Sequence, residues 1–507
     1  MLKNRHPTRI PHRRVLLDAN GIQVLARIAG NGPVVLALHE SPRSSLSLLA
    51  LIDSLADRYT VVAIDTPGYG ESDATGLERP EPEDFVAVIA AVLDTLGVRR
   101  TLLYGTHTGA ALAVSFALAY PERVAALVLD GLAAFDPEEQ ADFTGRYLAP
   151  FEPRWDGSHL AELWSRARDL FMWFPYHHRD AAHRLQTELP SVESLYGTVR
   201  GFLAAGAGYW RGYRCAGALD APAAAALLRV PTLLTARSYD LIAAHLERIE
   251  TTAFLKIKRV GAELGEWAAV IREHFSTHDG DTAALSGSTG ARRYIQLGEG
   301  AIHCRYFAGQ GKPLVVIPSL PTAALDTILD AQTTQGRPTW IFDPTGCGAS
   351  DPLLITAGAS LEDWLRPLVS AIESEGIDQY DVLGFGFGAA LATKLCGVDH
   401  RAGELALRQQ PGWLQSPESV PAQALLIKPF ADPDGGALFS TWYRLRDLRY
   451  YETLEQGVAR RRIAGADTEC DVDALYAAHK ALWLAPESAD LVTALQESFR
   501  GSTRAHK

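Results

Sequence analysis

Leu102-Leu103-Tyr104-Gly105-Thr106-His107-Thr108-Gly109 joins an apolar run to a glycine-framed turn, and the residues that follow, Ala110 to Ala119, suit a helix. A Gly-x-X-x-Gly turn between a short strand and a helix holds its central residue at strained backbone angles, and its small neighbours let helix and strand pass close together. Here the central residue is His107. The stretch predicts a strand at 102, a helix over 110–119 and an ionisable ring at the point where they meet.

Working outward, strands are expected at Val34 to Leu38, Val61 to Ile64, Val124 to Leu129 and Pro231 to Leu234. Helices are expected near Leu46 to Leu55 and Phe85 to Leu96. Short Val/Leu-rich strands alternating with helices of about a dozen residues are the sequence form of an α/β fold with a mostly parallel sheet and helices on both faces. Residues 136 to 228 break this rhythm with Trp, Tyr, Arg and His, and read as a helical insertion.

The same pattern occurs twice. Ile64-Asp65-Thr66-Pro67-Gly68-Tyr69-Gly70-Glu71-Ser72-Asp73 returns as Phe342-Asp343-Pro344-Thr345-Gly346-Cys347-Gly348-Ala349-Ser350-Asp351, 278 residues on. The turn around His107 returns as Gly384-Phe385-Gly386-Phe387-Gly388, and Asp156-Gly157, Trp164 and Arg168-Asp169 return as Asp434-Gly435, Trp442 and Arg446-Asp447. Ordered matches at a near-constant offset indicate a tandem duplication. The expected domains are 1–278, with the insertion at about 136–228, and a truncated 291–507, joined by a Gly/Ser/Thr-rich linker at 279–290 and packed on one another.

A chain of 507 residues with 47% hydrophobic and 21% charged residues has material for two cores. Its net charge of −12 argues against nucleic acid and anionic membranes as partners, which are bound by clustered Lys and Arg. The one basic run, Arg9 to Arg14, reads as a solvated arm. No signal peptide or membrane span is expected, so a cytoplasmic location is. Five cysteines without a CxxC pair argue against a disulfide frame.

These features resemble the α/β-hydrolase superfamily. The resemblance lies in the loop His39-Glu40-Ser41-Pro42, the turn Asp65 to Asp73, the turn around His107, Pro121-Glu122-Arg123-Val124, and Asp240 after Pro231. It covers nearly all of the first repeat and the front two-thirds of a fold in the second. It implies that the insertion is a lid, that Asp240 occupies the family's acid position, and that the backbone N–H groups of Thr108 and Glu40 are the donors for a developing oxyanion. The departures are His107 where the family carries Ser, Asp or Cys, Glu40 where its oxyanion loop usually has glycine, and Val260-Gly261-Ala262-Glu263-Leu264-Gly265 where it places its histidine. In the second repeat Gly386 leaves no side chain at the turn and Pro318-Ser319 replaces His39-Glu40, so that copy reads as non-catalytic.

At the start of a helix the macrodipole disfavours imidazolium, so His107 is expected to be neutral near pH 7 and to act as base or nucleophile. Asp240 is its expected orienting acid, with Asp130 and Glu40 as alternatives, and Glu40 as a possible second acid or base. His39, Thr106, Thr108, Asp130 and His159 complete the expected oxyanion and substrate-binding set. Trp164 with Arg168-Asp169 could close the pocket, although their recurrence in the empty copy favours a packing role. His39, Glu40 and His107 match no metal-ligand spacing, and neither metal nor cofactor is expected. The expected activity is that of a hydrolase-fold enzyme, a hydrolase or a lyase, on a small carbonyl or ester-like substrate; a pseudoenzyme that binds a ligand or acts as a scaffold is the alternative, and a fused dimer a weaker one.

Overall fold

A computed structural model describes residues 11–284 except 187, and beyond them 290–298, 300–319, 324, 327, 329, 331–352, 360–386, 388–408, 432–448, 450–452, 461–462, 471–485 and 491. Part of the expected linker (285–289), Phe387, Cys470 and the start of the basic run lie outside the described residues. The described residues of Met1–Glu152 and Ser165–Thr289 form one compact unit, and those of Pro153–Trp164 and Gly290–Lys507 a second.

The first unit is built on eight strands: β1 (Arg13–Ala19), β2 (Ile22–Ala29), β3 (Val34–Leu38), β4 (Thr60–Ile64), β5 (Thr101–Thr106), β6 (Val124–Asp130), β7 (Thr232–Arg237) and β8 (Leu255–Val260). Their order in the sheet is β1-β2-β4-β3-β5-β6-β7-β8. The six strands from β4 to β8 in that order are parallel, and β1 and β2 add an antiparallel edge. The parallel strands are covered on both faces, which is why β3, β4 and β6 are buried throughout and mostly apolar rather than alternating. One face packs on the helices Pro82–Thr95 and Thr108–Ala119, the other on Leu49–Leu55 and Leu264–Phe275.

The hairpin of β1 and β2 is a correction to the reading of the chain's start: Arg14, from the expected solvated arm, and Arg27 both reach Glu71. The helix expected from Leu46 begins as a tight turn over Ser45–Leu48. Residues 281 and 284, within the expected linker, hold to the first unit through Val34 N–H to Asp281 O, Asp281 N–H to Arg100 O and Ala284 N–H to Leu96 O.

The insertion is helical, with Pro137–Asp142, Ser158–Asp169, Val192–Ala205, Trp210–Ala218 and Ala221–Leu227. Within the first unit its core is aromatic: Phe143, Tyr147 and Tyr176 are buried together, and the Arg166 guanidinium lies over Tyr176, Phe202 and Tyr209 while donating to the Tyr209 hydroxyl at 2.7 Å.

The second unit contains β9 (Arg292–Leu297), β10 (Gly300–Phe307), β11 (Leu314–Ile317), β12 (Thr339–Phe342), β13 (Tyr380–Phe385) and β14 (Ala402–Arg408). Read from β9, their order is β9-β10-β12-β11-β13-β14, that of the first six strands of the other sheet. Residues 153–164 of the insertion belong to this unit. A Cβ at Gly157 (φ 72°) would stand 2.9 Å from the Trp442 ring, and one at Gly435 (φ 79°) 2.6 Å from the Trp164 ring. His159, Trp442 and His479 stack in sequence, with ring centres 4.7 and 5.4 Å apart.

Cys215, Cys304, Cys347 and Cys396 are free thiols. No described helix is long and apolar enough to cross a membrane.

Candidate active site

The site is organised by the turn between β5 and the helix Thr108–Ala119. His107 stands there at φ 49° and ψ −109°, a left-handed conformation that is costly for a residue with a Cβ. The turn is locked by His107 N–H to Asp130 O at 3.0 Å and by Ala110 and Ala111 N–H to His107 O. Its flanking glycines are sterically required, because a Cβ on Gly105 would strike the backbone of Gly109, and one on Gly109 the backbone of Leu38.

From this turn the imidazole reaches the loop after β7, where His107 Nε2 and Asp240 Oδ2 lie 2.9 Å apart. Asp240 is held in place by accepting the Ile242 N–H at 3.1 Å. A carboxylate only accepts, so the proton between the two belongs to Nε2, and the proton that His107 gains or loses is on Nδ1. Sequence reading missed Gly131, at φ 72°, where a Cβ would lie 2.6 Å from Asp240 Oδ2 and 2.7 to 2.8 Å from the His107 ring. Any side chain at 131 would occupy the space where histidine and aspartate meet.

The charge state of His107 differs from the expectation. Burial acts to lower its pKa, but the Asp240 charge and hydrogen bond, with Glu40 and Asp130 behind them, outweigh it and raise the value to about 9. Asp240 moves the other way, since the imidazolium and its hydrogen bond outweigh burial and hold the carboxyl below its ordinary value. The His107 side chain is 40% exposed and Asp240 10%, so solvent softens this coupling without reversing its sign. Three nearby carboxylates thus override the helix dipole, and His107 is an imidazolium at neutral pH.

The other expected residues divide. Glu40 is partly exposed, accepts from Ser47 Oγ at 2.9 Å and lies 3.6 Å from Arg43 Nε. Thr108 begins the helix, where its N–H has no intrahelical partner by position; its hydroxyl accepts from Ser41 N–H at 3.4 Å. Thr106 ends β5 in register with Asp130.

Three residues are not placed as expected. His39 is buried, with Nε2 accepting from Thr66 N–H at 2.9 Å and Nδ1 donating to Glu40 O at 2.8 Å, so its ring shapes the loop and has no nitrogen left for a substrate. Asp130 is buried and accepts from Tyr104 Oη at 2.7 Å and Trp267 Nε1 at 2.8 Å, a core role; burial, outweighing these bonds, raises its pKa. His159 is fully buried in the second unit, accepting from Arg154 N–H at 3.1 Å, and burial, then the Arg154 charge, lowers its pKa to about 4. Trp164 likewise belongs to the second unit, whereas Asp169 accepts from Arg179 in the first.

Residues 33–169 match the family described as the alpha/beta hydrolase fold. A 2-hydroxy-6-oxononadienedioate/2-hydroxy-6-oxononatrienedioate hydrolase of Burkholderia vietnamiensis is 36% identical over 120 residues, 24% of this chain and 39% of the relative. Epoxide hydrolase 3 of Siraitia grosvenorii is 33% identical over 122 residues, 22% of this chain and 37% of the relative. The chain thus spans about two-fifths of the length of the curated relatives it matches. Among solved structures, epoxide hydrolase A of Mycobacterium thermoresistibile is similar at 20% identity, covering 54% of this chain and 100% of its own, with a TM-score of 0.41. The family match over residues 33–169 and the strand order of the eight-stranded sheet together give the first unit the α/β-hydrolase fold.

Proposed function

We propose that the first unit is a hydrolase-fold enzyme for a small carbonyl or ester-like substrate, in which the imidazole at the turn, paired with Asp240, serves as the acid–base group. The observation that carries this reading is the 2.9 Å pair between Nε2 of a strained His107 and Asp240. The family's histidine after the last strand is missing at 260–265, and the turn itself supplies an imidazole to the acid. Backbone strain of this kind persists where the surrounding structure over-determines it, and it clusters at active sites. The printed names of the relatives, hydrolases of an oxo-dienedioate and of epoxides, agree with a small oxygen electrophile as substrate.

With a pKa of about 9, His107 carries a proton on Nδ1 at neutral pH and is a general acid first. In an ester hydrolysis, water adds to the carbonyl carbon and gives its proton to the Glu40 carboxylate. The oxygen that becomes negative is held by the Thr108 and Glu40 N–H groups, and the departing alkoxide takes the Nδ1 proton. The Glu40 proton then returns to His107 through solvent, which closes the cycle. A carbon–carbon cleavage that needs only proton delivery would use the same Nδ1–H. Replacement of His107 by Gln should abolish turnover of short esters, lactones or diketones while leaving the fold intact. Equal rates for wild type and variant would remove the reading.

The tandem duplication is part of this proposal, with repeats at 1–278 and 291–507 and a non-catalytic second copy. It is supported by the shared strand order and by two loops that hold themselves alike. Asp65 accepts from Ser45 and Glu71 N–H as Asp343 does from Ala324 and Ala349, and Ser72 and Ser350 bond the carbonyls of Asp65 and Asp343. At the turn, Gly386 has the same φ of 49° as His107.

A further inference from the structure

We propose that the helical insertion holds a divalent transition-metal ion on Asp142, His177 and His178. Asp142 ends the helix Pro137–Asp142, and the two histidines lie on a loop closed by a bridge between Trp173 and Arg184. The loop is pinned by Phe174 N–H to His183 O at 3.0 Å and Leu185 N–H to Met172 O at 2.9 Å. A single carboxylate oxygen, Asp142 Oδ2, faces both rings, 2.7 Å from His177 Nε2 and 3.1 Å from His178 Nε2.

The three ligand atoms lie within 4.8 Å of one another, and His178 belongs to a second such group with Asp180 and His183. The rings stack in series, with centres 4.5 Å apart for His177 and His178 and 4.6 Å for His178 and His183. A tetrahedral ion bound at about 2.0–2.1 Å spaces its ligands by about 3.3 Å, so the two imidazoles need to draw back from Asp142 Oδ2 by only about 0.2–0.6 Å. The side chains of His177 and Asp142 are each 16% exposed and that of His178 30%, which leaves a path for an ion and for a water as fourth ligand.

Hydrogen bonding alone leaves the group incomplete. His177 Nδ1 is buried with no hydrogen-bond partner among the described residues. An ion bound at both Nε2 atoms replaces two N–H donors that share one oxygen with a cation that all three groups can coordinate. Two imidazoles and one carboxylate favour zinc, cobalt, nickel or copper over magnesium or calcium, which prefer all-oxygen shells. The positive charge facing the group is modest: Arg146 Nε lies 3.4 Å from Asp142 Oδ1, while Arg179 is paired with Asp169. The ion would tie the loop 173–184 to the end of the helix Pro137–Asp142, fixing one side of the insertion.

The test uses the full chain stripped with a chelator and titrated with zinc alone by calorimetry, and with cobalt alone by visible absorption. One equivalent should bind at micromolar protein, raise the thermal midpoint and give a cobalt spectrum of tetrahedral intensity. The double variant His177→Asn with His178→Asn, and separately Asp142→Asn, should weaken binding by about 10–100-fold or more. His400→Asn, an exposed histidine elsewhere, should bind as wild type. Asp142→Asn keeps a hydrogen-bond acceptor in place, so it remains informative if the double variant fails to fold. Absence of a stoichiometric site in the wild type, or undiminished binding by Asp142→Asn, overturns the proposal.

Discussion

Gly131→Ala is a substitution of one methyl group that tests how the charge on His107 is maintained. The new Cβ would lie 2.6 Å from Asp240 Oδ2 and 2.7 and 2.8 Å from two atoms of the His107 ring. These contacts are well inside van der Waals distance, so histidine and aspartate must separate. Alanine at a φ of 72° adds a backbone cost of roughly 1–2 kcal/mol, a loss of several degrees in thermal midpoint. The diagnostic effect is on titration. The Asp240 charge and hydrogen bond are the main causes that raise His107 to about 9, and with both weakened the midpoint should fall back toward the ordinary 6.5. The assay is an NMR titration of the imidazole C–H signals from about pH 5 to about pH 10, assigned by their loss in a His107→Gln variant. No substrate is needed. A wild-type His107 that titrates at or below 6.5, or a Gly131→Ala variant still near 9, would refute the reasoning.

Four further outcomes are expected. His107→Ser, which restores the residue type common at such turns, should lose activity by about 100-fold or more, because it removes the acid–base group and no histidine stands at 260–265 to replace it; recovery of activity would show that the imidazole is dispensable. Because the folded pKa of His107 lies above its ordinary 6.5, its ion pair contributes stability in full below 6.5 and loses it as pH rises through about 9. Melting curves should therefore decline over that window more in wild type than in Asp240→Asn. His159 and His479 behave oppositely, with burial lowering them to about 4 and about 3, so their contribution is present above the ordinary 6.5 and is lost as pH falls. At about pH 5 each costs about 2 kcal/mol, which denaturant unfolding can measure, and a double Gln variant that is equally acid-sensitive would exclude them as the cause. Finally, Asp65→Ala should cost about 3 kcal/mol or more by calorimetry, since it strands the buried N–H groups of Ser45 and Glu71 together with the Ser45 hydroxyl.

Much of the sheet was legible because parallel strands buried on both faces are written as unbroken apolar runs, as in Val34 to Leu38. The β1–β2 hairpin was not, because Arg13 and Arg14 look like a solvated tail until Glu71, distant in sequence, is seen to pair with Arg14. At the site, the turn around His107 follows from spacing, and Asp240 from the resemblance. Gly131 does not, since its need for glycine is set by two side chains from other elements. The charge on His107 was misread for a similar reason: a helix dipole is visible in a sequence, whereas three carboxylates converging on one ring are not. His159 sits on a segment whose composition cannot tell which core it joins. The Asp142–His177–His178 group escaped notice because its carboxylate and its imidazoles lie on different elements.

The assignment of residues 153–164 to the second unit bears on the order in which this molecule can be assembled. Trp155 and Trp442 are joined by a hydrogen bond of 3.0 Å across 287 positions of chain. During synthesis the earlier segment emerges long before its partner exists, so Trp155, His159 and Trp164 must wait unsatisfied until the last third of the protein is made. A cut in the stretch 279–290 would therefore not release two self-sufficient halves. It would strip the carboxy-terminal fragment of a piece of its own core and leave three aromatic side chains on the amino-terminal one without a place to go.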